Sequence, residues 1–276
     1  MNYFVPLQNM NDKTVVLKDL SIGYRKKHGV SMVATGLNGC IRSGELTCLL
    51  GENGVGKSTL LRTLAVFQPP LGGSIVLQGK ALQNYTDSEL AKTIGVVLTE
   101  KPDVQMMTVG ELVATGRAPY TGFWGRLNEN DHQAVDMALQ QVGMEQLKHR
   151  LVTTLSDGEL QKVMIAKALA QSTPVIYLDE PTAFLDYPSK VDMLLLLKRI
   201  CREAGKTIFL STHDLELALQ VADTVWLMTK GGKQEETVSI ITGTPHELAA
   251  QGVLGLFVER SSGVTFNAES MSVSLR

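Results

Sequence analysis

Short, nearly unbroken apolar runs alternate with segments of helical period along most of this chain. Leu46-Thr47-Cys48-Leu49-Leu50, Ile94 to Thr99, Val175 to Leu178 and Thr207 to Ser211 have the length of strands and read as buried. Strands apolar on both faces belong inside a parallel sheet that is covered on both sides. Ahead of them, Thr14 to Gly23 reads as an edge strand and Ala34 to Ile41 as a second strand. Pro69-Pro70-Leu71-Gly72-Gly73 then breaks the pattern, and Ser74 to Gln78 returns as a strand.

The helical segments carry their own start and stop signals. Thr59 to Leu64 continues from the first apolar run, and Thr86 with Glu89 forms a capping box that opens a short helix. From Thr108 to Arg150 only helical patterns occur. Thr108 and Glu111 cap one helix, Arg117 to Asn130 reads as a long loop, and Asp131 to Val142 is amphipathic and stopped by Gly143. Ser156 caps a further helix with Glu159 three residues on, another runs from Pro188 to near Gly205, and Leu215 to Val221 is helical. Thr224 to Met228 and Glu236 to Thr242 read as a closing hairpin around Gly231-Gly232, and Pro245 opens a last short helix. The polar tail Ser261 to Arg276 reads as loosely ordered. Strands alternating with helices give an α/β fold with a mainly parallel core sheet, whose ligand sits at the carboxyl ends of the strands. The expected organisation is a main domain over 14–245, an all-helical insertion over about 104–172 within it, and a C-terminal helix and tail over 246–276.

Composition narrows this picture. With 276 residues, 44% of them hydrophobic, the chain can bury a large core. A net charge of −2 gives no basic field for nucleic acid, although Arg25-Lys26-Lys27-His28 is a local basic turn. Cys40, Cys48 and Cys201 are too few and scattered for a metal site or a disulfide framework, and read as reduced core thiols of a cytoplasmic protein. Met1 to Asp12 lacks the pattern of a signal peptide, and no stretch approaches the roughly 18 apolar residues of a membrane span.

The chemistry begins at Gly51-Glu52-Asn53-Gly54-Val55-Gly56-Lys57-Ser58, which matches GxxxxGK[ST] between a strand and a helix. In that context backbone N–H groups converge on phosphate oxygens, Lys57 reaches the β and γ phosphates, and the Ser58 hydroxyl meets Mg²⁺. Asn53, Val55 and Thr59 belong to the same nucleotide-binding stretch. A second apolar strand ends in Asp179-Glu180. Asp179 can hold the hydrated Mg²⁺, and Glu180 can accept a proton from the attacking water. His213, just past another apolar strand, can touch both the γ-phosphate and the carboxylate, or simply cap the next helix.

Taken together, the motifs resemble the ATP-binding subunit of an ABC transporter, a P-loop NTPase with an N-terminal antiparallel β sub-domain. The phosphate loop, Leu155-Ser156-Asp157-Gly158-Glu159, the acidic strand, Ala183-Phe184-Leu185-Asp186 and Ser211-Thr212-His213-Asp214 occur in the family's order. The resemblance implies ATP and Mg²⁺ as cofactors and a head-to-tail dimer, in which Ser156 and Gly158 of one copy meet the γ-phosphate held by the other. It places Asp186 at the dimer's D-loop and Tyr24 on the adenine, where an edge-strand aromatic is the plainer reading. It implies a peripheral protein on the cytoplasmic face of the inner (plasma) membrane.

Two positions depart from the family pattern. Its usual signature LSGGQ is here LSDGE, and Asp157 puts a carboxylate where it can repel the partner's ATP and weaken closure. Glu100 stands where the family generally has a glutamine that contacts Mg²⁺, and a glutamate can still ligate the ion. Within the family, Met107 to Tyr120 and Gly125-Arg126-Leu127 are similar to importers of iron-siderophores, haem and cobalamin. That similarity implies a permease dimer, received around Glu100 and the helical insertion, and an extracytoplasmic binding protein. Pro119, Tyr120, Phe123 and Trp124 either plug the insertion's small core or meet a partner. The competing readings are a soluble ABC ATPase acting as a scaffold of the iron-sulfur cluster assembly type, a DNA-repair ATPase, and an exporter half without its fused span. The stretch from Lys57 to Ser156 has no room for the DNA-repair class's long coiled coil.

Overall fold

The apolar runs sort onto two faces of one sheet. In the computed structural model, which describes residues 13–27, 29–100, 102, 104–122, 124–230, 238–259 and 263–276, that sheet contains β3 (Leu46–Gly51), β6 (Ile94–Val97), β7 (Val175–Asp179), β8 (Thr207–Ser211), β9 (Thr224–Lys230) and β10 (Val238–Gly243). Their order is β10-β9-β3-β8-β7-β6, parallel except for the β9–β10 pair. Successive side chains on a strand point to opposite faces. Cys48, Leu50, Ile176, Leu178, Ile208 and Leu210 therefore pack with the helices on one side. Leu49, Tyr177, Phe209 and Trp226 face the other side. There Phe209 lies edge-on to Tyr177 at 6.1 Å and to Trp226 at 5.1 Å, an aromatic row that runs from β7 and β8 across β3 to β9.

That second face is covered by an antiparallel sheet of β1 (Lys13–Lys26), β2 (Gly29–Arg42), β4 (Gly72–Leu77) and β5 (Lys80–Ala81), in the order β2-β1-β4-β5. The expected edge strand is thus an interior one: β1 pairs with β2 on one side and β4 on the other. Val15 and Leu17 are consequently sealed against Leu77 and Ile75.

The helices are α1 (Lys57–Leu64), α2 (Asp87–Thr93), α3 (Val109–Ala114), α4 (Glu129–Gln141), α5 (Asp157–Ala170), α6 (Tyr187–Ala204), α7 (Leu215–Val221), α8 (Pro245–Ala250) and α9 (Val253–Val258). Thr86, Thr108 and Ser156 close the capping boxes that the sequence announces. Asn128 with Asp131 and Thr244 with Glu247 add two more.

The expected loop 117–130 is more structured than its polar, proline-containing sequence implies. Its first part belongs to a 3₁₀ turn, Thr115–Tyr120, and α4 already starts at Glu129. Arg117 is buried there: its Nε donates to Asp131 Oδ1 at 2.9 Å, and its Nη1 donates to Ala170 O at 2.6 Å and Ser172 Oγ at 3.0 Å. Tyr120 stacks on the guanidinium at 4.0 Å and donates to Gln171 O. Trp124 is 82% exposed, so it does not plug a core, and Phe123 lies outside the described residues.

The tail is also a correction. After α8 and α9, β11 (Val264–Asn267) and β12 (Ser272–Leu275) form an antiparallel hairpin. Phe266 and Met271 pack on the main core, and Val273 N–H donates to the Glu216 carboxylate at 2.7 Å. Gly231-Gly232, the expected turn between β9 and β10, lies outside the described residues.

Candidate functional site

At the carboxyl end of β3 the chain turns through the phosphate loop into α1. Gly51 must be glycine: a Cβ there would stand 2.5 Å from Met228 O, where β9 runs alongside. Gly56, the residue before α1, has φ +116° and would drive a Cβ to 2.5 Å from Val33 Cγ1. Val55 is buried as the loop's apolar anchor. Lys57 Nζ donates to Gly51 O at 2.8 Å and Glu52 O at 3.1 Å, holding the loop in a tight ring. Burial lowers its pKa below the ordinary lysine value, opposed by the charges of Glu180 and Asp179.

The neighbouring strands bring in the acids. Ser58 Oγ donates to Asp179 Oδ1 at 3.3 Å, across from α1 to the end of β7. Thr99 Oγ1 donates to Asp179 O at 2.8 Å. Glu180 follows with φ +49°, a left-handed backbone that costs a non-glycine residue about 1–3 kcal/mol. Its Oε1 meets His213 Nε2 at 2.5 Å, and the other ring nitrogen, Nδ1, faces Lys57 Nζ at 3.4 Å. Nδ1 can accept from the lysine only while unprotonated, so the geometry fits a neutral ring that donates from Nε2 to the Glu180 carboxylate. Lysine, histidine and carboxylate thus form one chain of contacts at the loop's open side.

Tyr24, Val33, Asn53, Gly54, Gly56, Lys57, Ser58, Thr59, Glu180 and His213 line a single cleft. Tyr24 is 42% exposed, and its hydroxyl lies 2.8 Å from Thr59 Oγ1, which fixes the ring at the cleft's edge. Ser156 and Gly158 do not line this cleft. Ser156 Oγ is turned to its own helix, donating to Glu159 Oε2 at 3.0 Å and accepting from Glu159 N–H at 3.3 Å. Asp157 and Glu100 line a neighbouring cleft with Leu160, Ala183 and Phe184, and Glu180 is common to the two. Asp186 caps α6, accepting from Ser189 N–H at 3.0 Å. Val33 belongs to no motif, and Thr99, beside Glu100 at the end of an apolar run, gives no sign in the sequence of its bond to Asp179 O. The chemical arrangement is a phosphate cradle with a carboxylate–imidazole pair beside it.

Comparison with known proteins agrees with this geometry. Residues 34–183 match the family described as ABC transporter. An uncharacterized ABC transporter ATP-binding protein of Methanocaldococcus jannaschii is 43% identical over 76% of this chain and 71% of its own length. The iron(3+)-hydroxamate import ATP-binding protein of Bacillus subtilis is 36% identical over 83% of each chain. A dimeric, post-hydrolysis ATP-binding cassette with bound ADP and phosphate superposes with a TM-score of 0.66 at 26% identity, covering 77% of this chain and 93% of that one. The chain belongs to the ABC transporter family, as one of its ATPase subunits.

Proposed function

We infer that this chain hydrolyses ATP to drive a membrane importer of an iron complex, siderophore or haem, or of cobalamin. Two copies pair head to tail against a permease dimer, at the cytoplasmic face of the inner membrane, and an extracytoplasmic binding protein delivers the cargo. The observation that carries the ATPase mechanism is the contact chain Lys57–His213–Glu180 beside the Ser58–Asp179 pair. Glu180 takes the proton of the attacking water, His213 holds that carboxylate in place, and Lys57 balances charge on the transferred phosphate. Tyr24, at the cleft's edge, supports a stacking role on the adenine.

The donor set suits Mg²⁺. Ser58 Oγ and Asp179 Oδ1 are hard oxygens 3.3 Å apart, and among the described residues no cluster of three His, Cys, Asp or Glu can hold a metal alone. That is the pattern of an ion bound by one carboxylate, a hydroxyl and substrate phosphates. When bound, Mg²⁺ supplies charge neutralisation on the phosphate oxygens. Glu100 is the further oxygen ligand in this reading.

Ser156 and Gly158 lie outside the phosphate cleft, which supports a site completed by a second copy. Among the described residues no helix is long and apolar enough to cross a membrane. Met106 and Trp124, 85% and 82% exposed in the helical region, support a permease contact there. The cargo class rests on the likeness to the Bacillus subtilis hydroxamate import protein over most of both chains. Uptake of ferric hydroxamates, haem and cobalamin by vesicles carrying the chain with its permease tests it. ATP-dependent uptake of one of the three is expected. Association with no membrane protein would favour the soluble scaffold instead.

A further inference from the structure

Glu180 and Asp179 do not hold themselves in place; both are tied to one residue of the next strand. Ser211 ends β8, directly opposite Asp179 in the parallel register, and is completely buried. Its Oγ donates to Asp179 Oδ1 at 2.7 Å and accepts from the Glu180 N–H at 3.0 Å. One hydroxyl therefore sets the rotamer of the carboxylate that faces Ser58 and satisfies the N–H of a residue in the left-handed region. Two residues on, the same strand exit supplies His213 to the Glu180 side chain.

We propose that Ser211 is a positioning residue for ATP hydrolysis, aligning the Asp179 carboxylate toward the cation and the Glu180 backbone toward the attacking water. This rests on the roles assigned above to Asp179 and Glu180. A small hydroxyl side chain suits this fully buried place because its single oxygen donates to Asp179 and accepts from Glu180 N–H at once. A hydrophobic residue of similar size would fill the same strand position but leave the Glu180 N–H buried without a partner and free the Asp179 carboxylate to turn. Groups that orient a metal-binding carboxylate are worth about 10–100-fold in metal affinity or activity when removed.

The full chain carrying Ser211→Thr or Ser211→Val separates the hydroxyl from the shape, because the two replacements are nearly isosteric. Ser211→Ala serves as a third variant that adds no bulk. Steady-state hydrolysis, melting temperature, and binding of a fluorescent ATP analogue titrated with and without Mg²⁺ are the readouts. The Val and Ala variants are expected to lose about 10–100-fold in kcat and to need more Mg²⁺ for half-saturation. Their Mg²⁺-free nucleotide affinity should stay within about threefold, and Ser211→Thr should recover most of the loss. A purely structural serine would shift the melting temperature while leaving kcat per folded chain and the Mg²⁺ requirement unchanged. That result for Ser211→Ala overturns the proposal. If Glu180→Gln also keeps full turnover, the fault lies in the catalytic assignment; if Glu180→Gln is inactive, it lies with Ser211 alone.

Discussion

Glu180→Gln should lower kcat by about 10²–10⁴-fold while leaving ATP affinity nearly unchanged, the loss typical of removing a positioned proton acceptor. Glutamine keeps the length of the side chain and an oxygen that accepts from His213 Nε2, so the contact at 2.5 Å and the left-handed backbone need not change. What disappears is the basicity that, in the proposed mechanism, takes a proton from water. Single-turnover hydrolysis measured beside equilibrium nucleotide binding separates the two quantities. A variant with normal turnover would remove Glu180 from the reaction.

The largest effect on stability is expected from Arg117→Met. Its guanidinium and Asp131 have side chains only 9% and 2% exposed, and they are joined at 2.9 Å. Removing the cation leaves Asp131 without its charge partner and the carbonyl of Ala170, at the end of α5, with only the longer bond from Ser172 Oγ at 3.3 Å. Removing one partner of a solvent-excluded pair is destabilising because it leaves the other charge uncompensated. Asp131 also accepts from Asn128 N–H, and that bond leads the Arg117 contact in holding its carboxyl below the ordinary aspartate range. Adding Asp131→Asn keeps an oxygen for this cap and removes the unpaired charge. The double variant should therefore recover part of the loss. Urea unfolding at constant slope measures both, and an unchanged midpoint for Arg117→Met would show that the pair is not held as described.

Those two sites also mark how much of the molecule is legible in the chain. The phosphate loop reads directly because strand, turn and helix are contiguous, and Gly51 and Gly56 are demanded by contacts at that turn. Asp179, Glu180 and His213 read from their places at the ends of apolar runs, since a parallel sheet gathers its carboxyl ends. The interior position of β1 does not read, because its second partner is set by tertiary pairing with β4, far along the chain. Arg117 looks like part of a solvated loop until Ala170 and Ser172, distant in sequence, are seen beneath it. The C-terminal hairpin is hidden by its polar composition, although Phe266 and Met271 pack on the core and Val273 N–H bonds to Glu216. Ser211 is visible as a polar residue closing an apolar strand, yet its meaning depends on which strand lies next to it.

In the proposed mechanism the Gly51–Ser58 loop with Asp179, Glu180 and His213 forms half of a site, completed by Ser156 and Gly158 of a second copy. Glu180→Gln allows a direct test, because ATP is then bound without being consumed. Sedimentation of that variant with and without ATP should show single chains becoming pairs only with nucleotide. Ser156→Arg should abolish pairing while nucleotide binding persists, and Asp157→Gly should tighten pairing by removing a carboxylate that the proposed pairing would set against the partner's phosphates. ATP-loaded chains that remain single, or that pair equally well with Ser156→Arg, would contradict a shared site.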